Sequence, residues 1–195
     1  MVPFLAGFAF LVASKFTRWF MKERQVDKFD IRDNHDSTKN IFSEQYQLCK
    51  FCQIIRNNET LPEMKRNYSD DLISVFEDAR PAAKYHLLVC PKEHIKSINT
   101  LDYKSKKDFD LLSYMKTKSI EIMRDKALKT NQPFDESNLK IGFHRVLSTS
   151  IDHLHMHVFA LPFNNPSTAY RKYNGYFFAH FEEVISKFDV PQEIP

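Results

Sequence analysis

The sequence has 195 residues but only three glycines, Gly7, Gly142 and Gly175. That scarcity excludes a GxGxxG dinucleotide fingerprint and a glycine-rich P-loop, both of which need glycine where backbone amides close on a phosphate. Any phosphate chemistry must be done without those cradles. Cysteine is also scarce: there are three, an odd count, two of them in Cys49-Lys50-Phe51-Cys52. A disulfide framework is therefore not expected, and a reducing compartment, cytoplasmic with the nucleus open to it, fits better. An excess of one charge sign is missing too, with 28 Lys and Arg against 25 Asp and Glu. No basic block is interleaved with aromatics, so no nucleic acid is expected as a partner. A long apolar run is also absent. Residues 1–14 are uncharged and mostly apolar, but fourteen helical residues span only about 21 Å of a hydrocarbon core roughly 30 Å thick. Residues 1–22 read either as a shallow or single-span membrane anchor facing the cytoplasm, with Lys15, Arg18 and Lys22 on that side, or as a disordered extension.

Against these absences stands Ile151-Asp152-His153-Leu154-His155-Met156-His157-Val158-Phe159-Ala160, with three histidines at alternate positions. Period-two alternation is the mark of a strand, and it predicts His153, His155 and His157 on one face with Leu154, Met156 and Val158 in a core. On a helix, side chains two apart would diverge by about 200°. Three imidazoles in a row bring groups that titrate near neutral pH to one place, as a working site requires. A neutral imidazole can attack an electrophilic phosphorus if an acceptor holds its far nitrogen. Hydroxyls of Ser148, Thr149 and Ser150, just upstream, could donate to phosphate oxygens.

Polar, aperiodic residues 23–43 read as a linker. Strands are predicted at Leu72–Phe76, Tyr85–Cys90 and Leu139–Phe143, with a turn at Asp78-Ala79-Arg80-Pro81. From Lys106 to Lys129 the set Phe109, Leu112, Met115, Ile122 and Met123 follows helical spacing with lysines opposite. A short final helix is predicted within Phe177–Phe188. One long helix laid across an antiparallel sheet makes an α+β arrangement.

His153-Leu154-His155-Met156-His157-Val158-Phe159 resembles the His-φ-His-φ-His-φ-φ signature of the histidine triad (HIT) proteins. The run Phe76 to Ile95 resembles that family's second hallmark, and Gly142-Phe143-His144 with Tyr173 to Phe178 is most similar to the third Hint branch, the adenosine 5'-monophosphoramidases. The resemblance implies a HIT domain over residues 44–162, a C-terminal extension over 163–195 and a homodimer whose sheets join, with the long helix's apolar stripe as contact surface. It implies that His155 becomes adenylylated, that His157 contacts the α-phosphate, and that His86 orients the nucleophile, with His153 completing the catalytic group. It further implies that Asp78 holds the ribose, that Phe51, Ile54, Phe76 and Ala79 form the purine slot, and that Ser150 lies beside the leaving group. His144 replaces the asparagine common on the preceding strand. The implied activity is hydrolysis of the P–N bond in AMP joined to an amine such as lysine.

Three other readings meet specific objections. Dinucleoside polyphosphate hydrolases of the Fhit type usually carry glutamine where this chain has Phe159-Ala160-Leu161-Pro162, and no Cys/His finger like that of aprataxin follows residue 162. A binding adaptor would need no nucleophile. No cofactor or metal is required by these roles. However, Cys-x-x-Cys with two distant histidines is adequate for tetrahedral zinc, and in some relatives the partners resemble His94 and His153, while others lack the cysteines. Cys90 reads as a small buried hydrophobe.

Overall fold

A computed structural model describes residues 49–56, 64–145 and 151–190. The apolar segment 1–22, the linker and Ser148, Thr149 and Ser150 lie outside the described residues, and among those described no helix is long and apolar enough to cross a membrane. In chain order the elements are α1 (Lys50–Arg56), β1 (Arg66–Ser69), β2 (Ile73–Glu77), β3 (Ala83–Pro91), α2 (Lys106–Lys129), β4 (Leu139–His144), β5 (Met156–Phe163), α3 (Pro166–Tyr173), β6 (Phe178–His180) and α4 (Phe181–Ile185). The strands form one antiparallel sheet in the order β1-β2-β3-β5-β4-β6.

Register sets the two faces. Val89 faces Met156, Leu87 faces Val158, and Val158 faces Ile141 on the other side. These residues are buried with Leu111, Leu112, Met115 and Met123 of α2. On the opposite face, Leu88 pairs with His157, His86 with Phe159, and His157 with Gly142. With both faces covered, β2 and β5 show runs of buried residues rather than alternation.

The long helix falls on the predicted bounds. Ser105 caps it by accepting from the Asp108 amide at 3.3 Å, Lys126 and Lys129 sit in its last turn, and Asn131 takes the left-handed conformation (φ 49°) just beyond its end. Leu112, Met115 and Met123 of its apolar stripe are buried, while Phe109 and Ile122 remain half-buried. The outer edge of β4 is occupied by β6.

Two further expectations need correcting. The histidine strand begins at Met156 rather than Ile151, because the preceding backbone bonds elsewhere: the His153 amide donates to the Ile151 carbonyl and the Leu154 amide to that of Ile95. The final region is strand then helix, β6 and α4, and the sheet thus takes its sixth strand from beyond residue 162. Gly142 permits this: a Cβ there would collide with the Ala179 carbonyl and the Phe178 ring.

Candidate functional site

A cavity of about 500 Å³ opens over the centre of the sheet. Its apolar wall is Phe51 and Ile54 of α1 with Met64, Ala79 and Leu88; its polar wall is Asp78, His144, His155 and His157; and Tyr173 and Phe177 close the side toward the C-terminus. The apolar positions of α1 follow from its packing, since Phe51, Cys52 and Ile54 pack with Phe76, Leu88 and Cys90. Phe76, expected in the purine slot, is fully buried behind that wall and does not line the cavity.

The histidine protons can be assigned from groups with only one possible role. The Ala82 amide donates to His86 Nδ1 at 3.3 Å, so the proton of the neutral His86 ring sits on Nε2. That Nε2–H donates to His157 Nδ1 at 2.8 Å, which leaves the His157 proton on its own Nε2. This Nε2 is buried and has no hydrogen-bond partner among the described residues. A buried donor left unpaired costs roughly 1–3 kcal/mol, which an acceptor such as a phosphate oxygen in the cavity would recover. His155 Nδ1 donates to the His153 carbonyl at 2.6 Å, so its Nε2 keeps a lone pair. Burial holds all these rings neutral. It lowers His155 to about 4 and His86 to about 3, and drops His157 well below the usual imidazole range. His155 and His157 are neighbours, with ring centroids 5.0 Å apart.

Asp78 serves two sides. Its Oδ1 accepts from the Arg80 amide at 2.7 Å, closing the β2–β3 turn, while Oδ2 lies 3.6 Å from His86 Nε2 at the cavity. Burial raises its carboxyl above the ordinary value, and the Arg80 amide and charge, then Lys172, pull it back.

His153 is turned away from this cavity. Its Nδ1 lies 3.5 Å from Cys49 Sγ and 3.4 Å from Cys52 Sγ, and His94 Nδ1 lies 3.2 Å from Cys52 Sγ. Its Nε2–H donates to the Pro91 carbonyl at 2.9 Å, which aims the Nδ1 lone pair at the sulfurs. Tetrahedral zinc with ordinary Zn–S and Zn–N bonds would place sulfur and nitrogen about 3.5 Å apart. These four side chains therefore fit the ion, with the carbonyl partner metal-bound histidines usually have. Burial, with Cys49 beside it, pushes the Cys52 thiol up to about 12, a cost that a divalent cation would remove by holding the thiolate.

The structure thus brings Phe51, Ile54, Asp78, Ala79, His155 and His157 to one cavity, buries His86 against His157, and sends His153 to the cysteines. Met64, Arg80 and Lys172 also line the cavity. No sequence pattern marks Met64, whereas Arg80 adjoins the Asp78 turn and Lys172 precedes Tyr173. A sheet with an imidazole pair at its centre and an apolar slot beside it is the arrangement that the histidine-triad resemblance implies. Comparison with known proteins agrees. The family described as "Scavenger mRNA decapping enzyme C-term binding" matches residues 48–173. The chain is 33% identical over 142 residues to adenosine 5'-monophosphoramidase HINT3 of Xenopus tropicalis, covering 71% of this chain and 86% of that one. It is 36% identical over 117 residues to the bifunctional adenosine 5'-phosphosulfate phosphorylase/adenylylsulfatase HINT4 of Arabidopsis thaliana, covering 60% and 73%. Among solved structures, a HIT family hydrolase from Clostridium thermocellum superposes with a TM-score of 0.50 at 21% identity, over 62% of this chain and 96% of that one. The chain belongs to the HIT family, in its Hint-like branch.

Proposed function

We propose that this chain is a nucleoside phosphoramidase that hydrolyses the P–N bond of AMP joined to an amine, including lysine, through an adenylyl group carried on His155. The observation that carries this reading is the hydrogen bond from His155 Nδ1 to the His153 carbonyl, which leaves a neutral Nε2 with its lone pair at the cavity. Nε2 attacks the α-phosphorus, the N–P bond forms, and the P–N bond to the amine breaks. The amine leaves with a proton taken from solvent in the open cleft. The adduct's positive ring is held by the His153 carbonyl, and His157 Nε2–H donates to a phosphate oxygen. Water then attacks the same phosphorus, the His155 Nε2–P bond breaks with its electron pair returning to Nε2, and a proton passes to solvent as AMP is released. Phe51 and Ile54 hold the purine and Asp78 the ribose hydroxyls. Both curated relatives named above act on adenosine 5'-phosphoryl compounds by name, which supports an AMP half common to all substrates.

Zinc on Cys49, Cys52, His94 and His153 belongs to the same proposal. It would supply a closed structural centre rather than a reactive one, and by fixing His153 it would fix the carbonyl that orients the nucleophile.

A panel of AMP-lysine, diadenosine polyphosphates and 5'-adenylylated DNA tests the reading. AMP-lysine should be cleaved fastest, to AMP and free lysine. Cleavage confined to either of the other two would overturn it.

A further inference from the structure

Among the described residues the cavity mouth is charged in one sense: Lys50, Arg80, Arg171 and Lys172 line it, against one carboxylate, Asp78. Among the described residues none of the four cations has a carboxylate within salt-bridge distance, although ten other Lys, Arg or His side chains do. They come from three separate places: the start of α1, the β2–β3 turn and the end of α3. Helix stability does not account for the set. Arg171 and Lys172 in the last turn of α3 suit its dipole, but Lys50 opens α1, where a cation gains nothing, and Arg80 stands on no helix. The Lys172 charge acts inward, since it disfavours protonation of His86, His144 and Asp78 alike. The histidines within are neutral, so the mouth supplies the site's positive field.

One α-phosphate at His155 does not require four cations spread around an opening. We propose that the rim selects substrates whose leaving group carries an anionic group of its own, a sulfonate, carboxylate or phosphate beyond the scissile bond, over those with a neutral or cationic leaving group. The inference rests on the phosphoramidase reading. A cleft lined by one sign of charge raises the local concentration and capture of the opposite sign by tenfold or more.

Three AMP phosphoramidates of matched length test it with the full chain: those of taurine, ethanolamine and ethylenediamine, whose far ends are sulfonate, hydroxyl and ammonium. kcat/KM should fall in that order, with about tenfold between the extremes. The spread should shrink in high salt, because screening removes a field but not the intrinsic leaving ability of an amine. It should also shrink or reverse in Arg171→Glu/Lys172→Glu, whose fold is checked by thermal melting. Equal kcat/KM for the three in wild type at low salt, or a spread that salt leaves unchanged, would overturn the proposal. Failure to cleave any of the three would instead refute the phosphoramidase reading beneath it.

Discussion

His153 and His157 stand two residues to either side of His155, yet they belong to different regions with different chemistry. His157 lies within β5, pairs across to Leu88 and Gly142, lines the cavity, and holds a buried N–H with no partner among the described residues. His153 lies ahead of the strand, where the backbone has left the ladder, and presents a lone pair to two sulfurs. One region collects neutral rings around an open cleft, and the other collects thiols and imidazoles into a closed cluster. The same spacing serves both because the chain changes its bonding partners at Met156. The two regions meet at one hydrogen bond, from His155 Nδ1 to the His153 carbonyl. The cysteine cluster thereby reaches His155 through a main-chain atom rather than a side chain.

The largest effect expected from this contrast is at His155. His155→Asn should keep adenosine nucleotide binding but lower kcat by at least about a thousandfold, since no neighbour can replace the nucleophile. Binding by calorimetry and turnover of AMP-lysine check both halves. Next comes the cysteine region. Purified protein should carry about one zinc per chain. Cys49→Ser or Cys52→Ser should lose it, lower Tm, and reduce kcat by roughly 10- to 100-fold, the range seen when a supporting shell is removed. Metal-free protein with unaltered Tm would separate the two regions completely.

Much of this was legible from residue order. The long helix and three of the strands follow from periodicity, while His155 as the proposed nucleophile follows from the resemblance of His153-Leu154-His155-Met156-His157 to the histidine-triad signature. Periodicity did not reveal the division between His153 and His157, because alternation continues in the sequence through a point where the ladder stops; only the resemblance to relatives with a Cys/His site offered it. That point is set by the Leu154 amide reaching Ile95, a partner 59 positions earlier in numbering. Phe76 looked like a slot residue because its motif neighbours are, but its pairing with Leu88 and the packing of α1 place it behind the wall. β1 and β6 are three or four residues long, too short to write a period. Their position comes from pairing, with Gly142 making room for β6.

Smaller effects sharpen the picture inside the cavity. His86→Leu keeps the volume but removes the donor that fixes His157. It should lower kcat about tenfold with KM little changed, because the lost proton position matters as charge develops on phosphate. Asp78→Asn retains an acceptor for the Arg80 amide but loses the charge-assisted ribose contact. It should raise KM by roughly fivefold to tenfold and leave kcat nearly unchanged, as expected for a contact made equally in ground and transition states. A fall in kcat alone would give Asp78 a different role.

The most direct measurement is to find the adenylyl group during turnover. The enzyme is mixed with excess AMP-amine, quenched in alkaline denaturant to preserve the P–N adduct, and mapped by peptide mass spectrometry. The expected result is one adenylyl group on His155, present in wild type and absent from His155→Asn. An adduct on another residue, or steady turnover with none at the shortest quench times, would contradict covalent catalysis by His155.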